Sequence, residues 1–188
     1  MIFNSRTFSS LLFSPVTAVY KLNMEPLNTQ TICSQIAKQV RDAHTGGNWT
    51  GVSLKQGVEG ITWQQATSKV ENCNTIAVLV FHINYYMHAL LNVLKGTPLN
   101  ASDKYSFDLP PITSQVQWEQ LISKVFAEAE EAAGLIEQLP ESKLTETFVL
   151  EKYGTYYRNL AGMLEHLHYH LGQITLIKKL LLQREQPS

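Results

Sequence analysis

The chain has 188 residues, 44% of them hydrophobic, and fifteen Lys and Arg against sixteen Asp and Glu give a formal charge of -1. That length supports one well-buried core rather than two independent ones, and a near-neutral balance without a dense basic block argues against a nucleic-acid partner. The two cysteines, Cys33 and Cys73, lack CxxC spacing and read as buried or incidental thiols of a cytoplasmic protein.

No apolar run approaches the roughly 20 residues of a membrane span, so no membrane association is expected, and the apolar run at residues 75–81 reads as the interior of a bundle. Residues 1–24 read as an N-terminal extension, set apart from a bundle domain over residues 25–184. Ser and Pro break the extension's apolar patch, which is shorter than a secretory signal requires. Pro26 suits a first helical turn, where its missing N–H costs nothing, and Ile32, Ile36, Val40 and Ala43 recur along one side. These features predict a first helix over residues 25–44, closed by Gly46 and Gly47. The glycine-rich residues 46–60 predict a long ordered loop holding at most one short turn, with Trp49 as its anchor. Thr62 and Gln65 have capping-box spacing and predict a short helix from Trp63 to about Lys69.

A second long helix is predicted over residues 74–95, apolar around much of its circumference through Ile76, Leu79, Val80, Ile83, Met87, Leu90 and Leu91. His82 lies inside it, with Val78, Leu79, Tyr85 and Tyr86 as helical neighbours. A histidine buried there needs a partner, which a metal, a tyrosine or a backbone carbonyl can supply. Gly96-Thr97-Pro98 ends the helix and a polar connector follows. Thr113 or Ser114 then caps a third helix marked by Trp118, Leu121, Val125, Ala129, Ala132, Ile136 and Leu139, whose acidic outer face reads as solvated. Pro140 ends it, and a fourth helix starts between Phe148 and Thr155. Four such helices without strand alternation predict an all-α four-helix bundle.

The fourth helix carries the strongest functional signal. Between residues 160 and 181, Leu160, Leu164, Leu167, Leu171, Ile174, Ile177 and Leu181 form its apolar face, and His166, His168 and His170 contribute three of the chain's six histidines. His166 and His170, four apart, point within about 40° of one another, whereas His168 points about 160° away from either. Two imidazoles at that spacing can reach one ion. His82, the one histidine well inside another buried helix, completes a candidate triad for Zn, Ni or Fe with positions left open for water or substrate. The alternatives are polar core histidines linked to Tyr86 or Gln173, or surface histidines.

Other chemistries find less support. Glu165 and His168 make an ExxH pair, but a di-metal carboxylate bundle needs a second one, and no other Glu is followed by His at that spacing. HExxH, a glycine-rich phosphate loop and GxSxG are all absent. Cys73 with His44 as a nucleophilic pair is less economical than a buried thiol. His44 itself reads as a C-terminal capping cation, a second-shell group or a substrate contact, and His88 has no assigned role.

The segment Glu165-His166-Leu167-His168-Tyr169-His170-Leu171-Gly172-Gln173-Ile174 resembles the last-helix signature of the DinB/YfiT-like family, in which an EHxxYHxGQI segment is common. The similarity continues at residues 46–54, 60–66 and 79–83, and so covers about residues 25–182. The resemblance implies a DinB/YfiT-like four-helix bundle of up-down-down-up topology, often a homodimer, holding one divalent metal on His82, His166 and His170. It further implies that Gly172 permits close helix approach, that Gln173 sits beside the site, and that the loop at residues 49–54 lies near the pocket. His44 would approach the same region without ligating. Related families include transferases that use bacillithiol or mycothiol. The expected function is therefore a divalent-metal-dependent enzyme, with a thiol S-transferase acting on a small-molecule electrophile, and so a low-molecular-weight thiol co-substrate, as its specific form. Catalytic residues are not fixed, with Tyr86, Glu165, Gln173 and His44 as candidates beside the metal. A metal-dependent hydrolase and a non-catalytic, stress-associated metal-binding or dimerising bundle are the alternatives.

Overall fold

The computed structural model describes residues 30–184, so the extension at residues 1–24 lies outside the described residues. Six α-helices follow in order: α1 Ile32–Thr45, α2 Leu54–Val58, α3 Trp63–Thr67, α4 Ile76–Leu94, α5 Gln115–Glu137 and α6 Tyr156–Arg184. Short 3-10 turns occupy Asp103–Tyr105, Glu141–Thr145 and Glu151–Tyr153. No strand is formed among the described residues.

Side-chain hydroxyls set most helix starts. Thr31, Thr75 and Ser114 accept from the N–H groups of Ser34, Val78 and Gln117, and Ser53 and Thr62 form complete capping boxes with Gln56 and Gln65. Helix α1 thus begins at Ile32, because Thr31 has extended dihedrals and caps it, while the part of the predicted first helix at residues 25–29 lies outside the described residues. Ile32 is half exposed, and the buried stripe of α1 starts at Cys33 and Ile36. The expected glycine-rich loop contains a true helix, α2, because Ser53 and Gln56 satisfy its first turn and Leu54 and Val58 bury against the core. Trp49 does not anchor that loop, being 96% exposed.

The four long helices form a ring in which α1 packs on α5 and α6, and α4 packs on the same two. Side-chain pairs give the directions. Arg41 reaches Glu130 and Glu137 while the Ile32 N–H donates to Glu141, so α1 and α5 are antiparallel. Asn84 reaches Glu128 and Lys95 reaches Glu131, so α4 runs with α5. His82 faces His166 and His170, whereas Leu90 lies with Ala161 along the same cavity, so α4 and α6 are antiparallel. The order is up-down-down-up. The core is one cluster fed by all six helices. Helix α4 is long and apolar enough by composition to cross a membrane, contrary to the reading that no run approaches that length, but 67% of its 18-residue apolar window is buried inside the bundle. An apolar circumference is what a central bundle helix requires.

Close approach occurs at Gly57 rather than at Gly172. A Cβ at Gly57 would stand 3.2 Å from Ile174 and 3.3 Å from Leu171, so α2 lies directly on α6, whereas a Cβ at Gly172 would meet nothing within 4 Å. Gly172 is on the outer face of α6, and the interhelical packing takes place on the leucine stripe opposite. Trp118, 2% exposed, packs into the core, and its indole N–H donates to the Ile61 carbonyl at 3.0 Å, fastening the α2–α3 segment to α5.

Candidate metal centre

The antiparallel contact of α4 with α6 brings His82, His166 and His170 together, with one candidate ligand atom from each lying within 4.8 Å of the others. His82 and His170 are buried and His166 is half-buried. Each of the two buried rings has its Nδ1 fixed by an outer acceptor. The His82 Nδ1–H donates to the Ser106 carbonyl at 3.1 Å, and the His170 Nδ1–H donates to Gln173 Oε1 at 2.7 Å. Both rings are thereby held in the tautomer whose Nε2 carries the free lone pair. The Nε2 atoms of His82 and His166 face each other at 2.9 Å.

This donor set fits a divalent ion of the Zn, Ni or Fe type. Two nitrogens each about 2.1 Å from one tetrahedral ion stand roughly 3.4 Å apart, between the 2.9 Å that separates the facing His82 and His166 nitrogens and the 4.8 Å that bounds the set, so modest ring shifts, opening the first pair and closing the widest, would bring all three onto one ion. Desolvation also favours the neutral form of His166 and His82, as ligation demands. Burial, with the charges of His170 and His82 adding to it, pushes His166 down to about 4. Burial lowers His82 as well, against the bond to Ser106.

The polar connector after α4 contributes more than its composition suggests. Phe107 stacks on His82 with ring centres 3.8 Å apart, Ser106 supplies the carbonyl already described, and Asp103 accepts from the Tyr86 hydroxyl at 2.6 Å. Tyr85 adds a clamp, its hydroxyl donating to the Ser102 carbonyl and accepting from the Ser102 N–H. Tyr86 stands edge-on to both His82 and His166, and burial and Asp103 raise its phenol. Two aromatic residues in an otherwise polar stretch, Tyr105 and Phe107, were the only sequence signal for this strap.

A cavity of about 740 Å3 opens from His82 and His166 along the groove between α4 and α6, and Tyr86 and Glu165 line it. Of the residues expected beside the site, Tyr86, Glu165 and Gln173 are there. His44 and the loop at residues 49–54 are not. His44 is buried with its Nδ1 bonded to the Val40 carbonyl, and its Nε2 has no partner. Burial lowers it, with the charge of His168 pushing the same way, so it is a neutral core ring and not a capping cation. Trp49 and Thr50 line a separate groove with His168, whose Nδ1–H donates to the Leu164 carbonyl. The 160° offset of His168 thus turns it to the α1 side. Cys73 is exposed rather than buried, Cys33 is buried, and neither is in a disulfide. His88 meets Glu128 on the surface.

The depressed histidines predict a pH dependence of the metal-free protein. Unfolded, both His44 and His166 return to the ordinary 6.5. As pH falls from there toward about 4, the unfolded chain takes up protons that the folded chain refuses. Stability is full above 6.5 and is lost on acidification. The urea midpoint in chelator is expected to fall from pH about 7 to about 5, and to fall less steeply in His44→Gln.

A sequence model described as the DinB superfamily matches residues 38–174. No curated protein and no solved structure matches the chain.

Proposed function

Because the chain belongs to the DinB superfamily, we propose that it is a divalent-metal-dependent enzyme that transfers a low-molecular-weight thiol onto a small electrophile. One observation carries the reading: the buried rings of His82 and His170 are locked from behind, the ligand atoms of the three histidines converge, and His82 and His166 line a cavity between α4 and α6. A divalent ion on His82, His166 and His170 supplies a Lewis acid with open positions, which lowers the pKa of a bound thiol.

The protein's own groups do the rest. Ser106 and Gln173 hold the ligand rings, Phe107 covers His82, and Tyr86, tied to Asp103, forms the wall beside His166. In the transfer, sulfur forms the bond to the electrophilic carbon, the leaving group departs with the bonding pair, and the thiol proton passes to Glu165 or to water. The same reading has the protein acting in the cytoplasm as a homodimer.

The test loads the protein with Zn, Ni or Fe(II) and follows disappearance of free thiol in the presence of alkyl and aryl halides and epoxides. Metal-dependent consumption that His166→Ala abolishes supports the proposal. Turnover without thiol would identify a hydrolase instead, and tight metal with no turnover but a large stability gain would identify a structural site. A narrower expectation concerns Gln173. Gln173→Leu removes the acceptor that orients His170, and metal affinity is expected to fall about 10- to 100-fold by competition with a chromogenic chelator.

A further inference from the structure

The cavity runs from His166 back to the first turn of α6, where Arg158 lines its far end. Eight residues separate the two, about 12 Å along the helix axis. Leu90, Leu99, Phe148, Tyr153, Tyr157 and Met163 make the intervening wall apolar and aromatic.

Arg158 is unusual among the described arginines. Arg41 pairs with Glu130 and Glu137, and Arg184 pairs with Glu71, whereas Arg158 has no acidic partner and no side-chain hydrogen bond among the described residues. Its charge does not favour its own helix, because a cation in the first turn opposes the helix dipole. Its side chain is exposed and runs past Gly154, where a Cβ would stand 2.7 Å from the Arg158 Cδ. Gly154 also has φ 75° and ψ -151°, a conformation that glycine alone adopts readily. Acidic groups in the cavity are found toward the histidines: Glu165 one residue from His166, and Asp103 bonded to Tyr86. An anion entering the cavity is therefore attracted to the arginine end.

Resting on the reading of this cavity as the substrate site, we propose that it takes an elongated ligand with an apolar or aromatic body and a terminal carboxylate. Arg158 grips the carboxylate, and the body lies on the aromatic wall with its other end at His166. The planar guanidinium fork matches the two oxygens of a carboxylate, a geometry that an ammonium group lacks.

The test is calorimetric binding of phenylhexanoate and of its neutral amide, phenylhexanamide, to chelator-treated protein, so that no metal can hold the carboxylate. The carboxylate is expected to bind about tenfold more tightly than the amide. Arg158→Gln should abolish that preference while leaving amide affinity unchanged, which also shows that the variant is folded, and Arg158→Lys should restore only part of it. Equal binding of acid and amide to the unaltered protein, a preference that survives Arg158→Gln, or binding of neither compound would overturn the proposal. Its failure is separable from that of the transferase reading. A chain that takes up metal and consumes thiol but shows no acid preference loses the carboxylate site alone, and one with the preference but no metal loses the transferase.

Discussion

Replacing His82, His166 or His170 by alanine is expected to lower bound metal from near one ion per chain to a trace, a loss of affinity of more than about 100-fold, whereas His168→Ala keeps the metal. Removing an outer hydrogen bond to a ligand already costs about 10- to 100-fold, and deleting the ligand costs more. The contrast comes from helical geometry: His166 and His170 share the α6 face turned to His82, and His168 is bonded to Leu164 on the face turned to α1. Elemental mass spectrometry on the untagged chain and its four variants checks it. Equal losses at His166 and His168 would sink the assignment of the site to that face.

The second large effect is on stability. Trp118→Ala is expected to cost about 3–5 kcal/mol, a large part of the roughly 5–15 kcal/mol that holds a domain of this size together. The substitution opens a cavity under α5 and also leaves the Ile61 carbonyl without its indole donor. Trp118→Phe fills most of the volume but cannot make the bond, so a smaller loss separates the two contributions. Urea midpoints measured at unchanged slope provide the readout.

How much of this was legible in the sequence depends on whether a residue's role is local. The leucine stripe of α6, the offset between His166 and His168, and the Thr62–Gln65 capping box follow from spacing within one helix, and all hold. Gln173 was placed beside the site by resemblance and is there, bonded to His170. The resemblance implied close helix approach at Gly172, but that position faces outward; the glycine that admits a neighbouring helix is Gly57, and only the tertiary path of α2 reveals it. A capping cation was one of three readings of His44, drawn from its place at a helix end, yet burial overrides the favourable helix-end charge. The strap at residues 102–107 escaped because its contacts with α4 span 17 to 24 positions of chain, and no local periodicity encodes them.

The two buried ligand rings are braced in different ways, and this affects what mutation can reach. The acceptor behind His82 is a main-chain carbonyl, so no substitution at Ser106 deletes it, and only a change in the path of the strap would move it. The acceptor behind His170 is an amide side chain, open to single-base change without disturbing the backbone. One ligand's basicity is thus inherited with the fold, and the other's is an adjustable trait. Lineages descending from this architecture can retune the centre for a different ion or co-substrate at position 173 while keeping an unaltered anchor at His82.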